Sequence, residues 1–166
     1  MRSLALSVVL ALVGAVLVAG PAAARGDVEM TQYRAGAYYT HHACPISRAQ
    51  DRFYREIWRG RDRIGKREVA RRLPELRRLS GVYADAAYNW SRALYNPPAD
   101  WPSNVARLVH RLANVNLRLS DLLYAQEDAG SARRWLNLNG RINDLPWGHL
   151  AANIRVRLDL PRHTRC

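Results

Sequence analysis

VARLVHRLANVNLRLSDLL, residues 105–123, is the stretch on which the fold turns. Within it Val105, Leu108, Leu112, Val115, Leu119 and Leu122 recur at alternating steps of three and four. That spacing stacks them along one side of an α-helix, in the manner of an a/d seam between antiparallel helices. Val109 and Leu123 widen the stripe beyond a narrow seam, which favours a globular core over a free coiled coil. The helix is predicted to stop near Ala129-Gly130, with Ser131 capping the next turn.

Upstream, Asn96-Pro97-Pro98-Ala99-Asp100-Trp101-Pro102 is the clearest break in the chain, with Asp100 placed to cap the next helix. Before it, Leu73, Leu76, Leu79, Tyr83, Ala87, Trp90 and Leu94 mark a helical stretch over about 66–95, kinked or restarted at Pro74. Ser47 and Gln50 form a capping-box pattern that opens a helix after Cys44-Pro45, with Ala49, Phe53, Ile57 and Ile64 on its apolar side. Downstream, Trp135, Leu138 and Ile142 suit a short helix; Asp144 can cap a last one carrying Trp147, Leu150, Ile154 and Leu158. No strand pair or internal repeat appears. The expected fold is all-α, a four- to five-helix antiparallel bundle.

Residues 1–24 hold one early charge, Arg2, an apolar run and then Gly20-Pro21-Ala22-Ala23-Ala24. This is the layout of a secretory signal peptide cleaved after Ala24, and it predicts a secreted or extracytoplasmic protein. Residues 25–43, with Gly26, Gly36 and three tyrosines, show no clear period and read as an irregular arm. Residues 44–166 then form the helical domain. Beyond position 24 the chain carries 25 basic and 14 acidic side chains, a formal +11, and every basic residue but Lys66 is arginine.

Cys44 and Cys166 are the only cysteines. In an oxidising compartment an even pair points to one disulfide, closing a loop of about 120 residues. His41 and His163 each lie three residues before a cysteine, so convergence of the ends would also assemble two His and two Cys, the donor set of tetrahedral zinc. A further version keeps the disulfide and leaves His41, His42 and His163 as candidate ligands for a metal or haem. No cofactor is otherwise indicated.

Arg48, Arg52, Arg55 and Arg59 step four, three and four along one face of the Ser47 helix, and Arg63, Arg67 and Arg71 continue the series. Such a row is ordinarily a solvated surface, here partly neutralised by the i,i+4 pairs Asp51–Arg55, Arg52–Glu56, Asp62–Lys66 and Glu68–Arg72. Used functionally, it is an electropositive surface for an anionic polymer, a lipid surface or an acidic protein outside the cytosol. Nucleic acid is disfavoured, since no nucleic-acid motif accompanies the charge. Nucleophile elbows, zinc-protease and phosphate-loop motifs and Cys-x-x-Cys are all missing. Glu68 and Glu75, bracketed by arginine, suit ion pairs better than acid–base catalysis. The leading expectation is therefore a non-catalytic binding protein with a basic face. The alternatives are a metal- or haem-binding protein using the terminal histidines, and a small secreted helical enzyme.

Overall fold

The computed structural model describes residues 28–59, 62–161 and 166; at 59, 62 and 63 only the backbone is described. The predicted signal peptide, residues 25–27 and His163 lie outside the described residues.

The first helix, α1, spans Gln32–Ile57, with the Thr31 hydroxyl oxygen accepting from the Arg34 amide at 3.3 Å. The expected irregular arm is thus helical from residue 32, and Ser47–Gln50 lies inside the helix instead of opening it. Its buried side is a regular stripe through Ala35, Tyr39, Ala43, Ile46, Ala49, Phe53 and Ile57. Two residues disguise this continuity. Pro45 sits within the helix on its exposed side. Gly36 is set by a long-range contact, since a Cβ there would come 3.1 Å from Leu160 Cδ2.

The helix does not carry on through the arginine series as expected. It stops at Ile57, and Trp58–Arg59 (β1) pairs antiparallel with Asp62–Arg63 (β2), Trp58 opposite Arg63. The glycines at 60 and 65 bracket this interruption and disfavour helix through it. A short helix, α2 (Lys66–Arg71), comes next, and α3 (Leu73–Tyr95) restarts with Pro74 in its first turn, where no amide hydrogen bond is lost.

The remaining helices are α4 (Ser103–Glu127), α5 (Ala132–Asn143) and α6 (Trp147–Arg157). Ser131 caps α5 as expected, its Oγ accepting from the Arg134 amide. Two other caps differ. Asp144 ends α5, and α6 starts from Pro146. At the start of α4 it is Glu29 that accepts from the Ser103 amide, while Asp100 pairs through its backbone, its carbonyl receiving the Met30 amide at 2.8 Å. The carboxylate at that helix start is therefore supplied from the far end of the chain.

The most extensive helix pair is α3 with α4. Their cross-links run in opposite chain directions: Tyr95 to Asn114, Ser91 Oγ to the Ala113 carbonyl, Tyr124 to Asp85, and Ser80 to Gln126. The buried side of α4 runs through Val105, Val109, Leu112, Leu119 and Leu123, with Leu108 and Val115 only half-buried at its border. Asn116, Ser120 and Gln126 of the same helix are buried as well. Gln126 is fully used: its Oε1 accepts from Ser80, and its Nε2 donates to the Trp135 carbonyl of α5.

Helix α1 packs on α3, and α6 packs on α4. Phe53 of α1 sits among Tyr83 of α3, Trp135 of α5 and its neighbour Tyr54, with ring centres 5.5, 5.9 and 5.7 Å away. Trp101 covers one end of the core and donates its indole N–H to the Leu94 carbonyl at 2.9 Å. At the opposite end Arg72, 8% exposed, binds Glu75 through Nε at 2.9 Å and Glu56 through Nη2. Burial opposes its charge, but the Glu75 and Glu56 carboxylates outweigh that and raise its pKa. The pair-breaking substitution Arg72→Ala is expected to cost about 1–3 kcal/mol in urea unfolding, because both acids can recover some hydration.

Cys44 and Cys166 form the expected disulfide, with Cα atoms 5.3 Å apart and a sequence separation of 122. Arg48, one turn further along α1, donates from Nε and Nη2 to the Cys166 carbonyl at 3.1 and 2.6 Å. The chain-entropy model assigns a loop of this length about 5 kcal/mol. Replacing both cysteines with serine should lower the unfolding free energy by roughly that amount or somewhat less, read from the urea midpoint at unchanged slope.

Candidate functional site

The seven arginines of the expected basic face do not share one environment. Arg48, Arg52 and Arg55 are exposed on α1, Arg59 and Arg63 fall in β1 and β2, and Arg67 and Arg71 lie on α2. Arg48 is occupied by the Cys166 carbonyl. Arg71 is paired with Glu68, Nη2 to Oε1 2.8 Å. Among the described residues, Arg52, Arg55 and Arg67 have no carboxylate within salt-bridge distance.

The neutralising pairs expected from spacing have been redirected. Glu56 goes to the buried Arg72 instead of Arg52, and Glu68 goes to Arg71 instead of Arg72. Arg55 donates to the backbone carbonyl of Asp51 at 3.3 Å, not to its carboxylate. The Asp62 side chain is not among those described.

A second group of arginines was not singled out in the sequence. Helix α5 packs against α2, and a shallow groove of about 460 Å³ beside it is lined by Ser131, Arg133, Arg134, Asn137 and Arg141, with no acid in its wall. Arg133, Asn137 and Arg141 are four apart, and that step alone signals a shared face.

The histidine expectation is altered by the disulfide, which consumes both thiols and removes the two-His, two-Cys zinc set. The His41 and His42 rings are 4.9 Å apart edge to face, and His42 also contacts Tyr38 at 4.3 Å. No cluster of three or more His, Cys, Asp or Glu suited to a metal occurs among the described residues. Glu68 and Glu75, the candidate carboxylate pair, are each engaged by an arginine.

A half-open polar cavity of about 530 Å³ is bounded by α1, α3, α4 and α6. Tyr83, Trp90 and Trp147 give it aromatic wall, and Asn116 of α4 is among its lining residues. Asn116 is 1% exposed, and neither its Oδ1 nor its Nδ2 has a hydrogen-bond partner in the protein. The Trp90 indole N–H, in a residue 6% exposed, is likewise unpartnered. Asp51 and Arg155 stand in the same wall. The Arg155 guanidinium lies 6.0 Å from the centre of the Tyr39 ring; burial raises the Tyr39 pKa, and Arg155 partly counters it. Asn139 is also buried, inside α5, with its Oδ1 unpartnered.

Comparison with protein-family models, with curated proteins and with solved structures gives no significant match.

His42 supplies a pH test. Burial, then the neighbouring His41, holds its pKa below the ordinary 6.5. The unfolded chain therefore takes up the proton first, and stability falls as pH drops from 6.5 toward the folded-state value. His42→Phe keeps the ring against Tyr38 and removes the titration. It should flatten the loss of stability between pH 7.5 and 5.5, read as the urea midpoint at each pH.

Proposed function

We propose that the chain is an exported, non-catalytic binding protein, a helical bundle whose arginine-rich surface engages an anionic partner outside the cytosol. The observation that carries this is the redirected pairing: Glu56, expected to neutralise Arg52, is taken by Arg72, and Arg55 reaches the backbone carbonyl of Asp51 and not its carboxylate. The Arg52 and Arg55 guanidinium groups are left facing solvent, together with Arg67. The groove of α5 adds Arg133, Arg134 and Arg141. Guanidinium forks suit carboxylate, sulfate and phosphate groups, which they can hold through two parallel hydrogen bonds. Export is supported by the layout of residues 1–24 and by the disulfide, which is compatible with an oxidising compartment. No helix among the described residues is long and apolar enough to cross a membrane.

A repeating acidic polymer fits these dispersed charges better than a single small anion, because it can engage several of them at once. Dextran sulfate is a suitable probe. The protein should bind it at low salt and release it as ionic strength rises. The triple variant Arg52→Glu, Arg55→Glu and Arg133→Glu should weaken that binding by about tenfold or more, while Arg118→Glu on α4 changes it little. All three sites are exposed, so helical circular dichroism should be preserved. Equal binding by the triple variant and the unaltered protein would remove the arginine surface as the site.

A further inference from the structure

We propose that the cavity between α1, α3, α4 and α6 is a second binding site, one that takes a small, flat, neutral molecule bearing an amide or lactam group. It is separate from the arginine surface, in both place and chemistry.

Buried polar groups in folded proteins are almost always hydrogen-bonded, and a buried amide without partners carries its full desolvation cost. Asn116 leaves both a donor and an acceptor in that state, and Trp90 leaves a donor. Both residues line the same space. Elsewhere in the core Gln126 is held by Ser80 and the Trp135 carbonyl and the Trp101 indole by the Leu94 carbonyl, while Tyr39 Oη, Trp135 Nε1 and Asn139 Oδ1 are single buried atoms without a partner. Among the described residues Asn116 alone has both amide atoms buried and unpartnered, and Trp90 shares its cavity.

The volume points to a ligand. A single bridging water occupies about 30 Å³, whereas small-molecule sites run from about 300 to 1,000 Å³. At about 530 Å³ the space accepts a ring with a short substituent. Three aromatic side chains offer flat apolar wall, and the small residues Ala43, Gly148 and Ala151 leave room between the helices.

The polar chemistry selects the class. A carboxamide pairs best with another amide, which presents a carbonyl to Nδ2 and an N–H to Oδ1 along one edge. The Trp90 N–H adds a second donor, for the other lone pair of that carbonyl oxygen. Asp51 and Arg155 place one acid and one base in the wall, so the cavity imposes no net charge on its occupant.

Benzamide, a flat ring with a primary amide, is the probe, and toluene is the control without the amide. Uniformly ¹⁵N-labelled, oxidised protein is titrated with each, following the side-chain NH₂ signals of Asn116 and the indole N–H of Trp90. Benzamide should shift both, toluene should bind more weakly, and added salt should leave the benzamide affinity unchanged. Asn116→Leu retains the side-chain size and should weaken benzamide by about tenfold or more, with no loss of folded signals. Trp90→Phe provides a second variant that should weaken it several-fold should the leucine not be tolerated. Unshifted Asn116 and Trp90 signals at millimolar benzamide would mean a cavity holding water only, which overturns the proposal. Toluene binding as tightly as benzamide, or full affinity in both variants, would overturn it as well. Failure of dextran sulfate binding would leave this site untouched.

Discussion

The constraint on which the rest depends is the covalent tie between the middle of α1 and the end of the chain, Cys44 to Cys166. Helix α1 lies on α3 and helix α6 lies on α4, so these two helices form opposite walls without being each other's main packing partner. The segment after α6 reaches back to α1. Leu158 and Leu160 pass over Gly36, and Cys166 is bonded at Cys44 with Arg48 gripping its carbonyl. The tie thus joins one outer helix to the stretch beyond the other.

That arrangement accounts for several features that look unrelated along the chain. Gly36 is small because the returning tail crosses it, and Arg48 is drawn out of the basic row to hold the tail in place. The cavity exists because α1 and α6 are held around a space that neither α3 nor α4 fills. The other end of α1 is fixed by different means, with Glu56 on Arg72 and Phe53 between Tyr83 and Trp135. An aromatic and ionic anchor at that end and a covalent one near the middle leave α1 little freedom to slide along α3.

Much of this was legible in the sequence where local rules govern. The apolar steps on α3 and α4, the Pro74 restart, the Ser131 cap and the cysteine pairing each follow from spacing, steric demand or redox chemistry. The rest depends on contacts between distant segments. The start of α1 was hidden because Gly36 and Pro45 resemble breakers, although one accommodates Leu160 and the other lies on an exposed turn. The capping carboxylate of α4 comes from Glu29, 74 residues away. Pairing by i,i+4 spacing failed at Glu56 because the buried Arg72 competes for the same acid with a larger need. The Asn116 cavity has no signature at all in one dimension; only the packing of four helices reveals an amide without partners.

The role of the tie can be tested where it acts, by hydrogen–deuterium exchange mass spectrometry on the oxidised protein and on its Cys44→Ser, Cys166→Ser variant under native conditions. Loss of the tie should raise exchange in the middle of α1 and in α6, the two cavity walls, while the central parts of α3 and α4 stay protected until global unfolding. Exchange that rises evenly over all helices, or does not change in α1 and α6, would contradict the account.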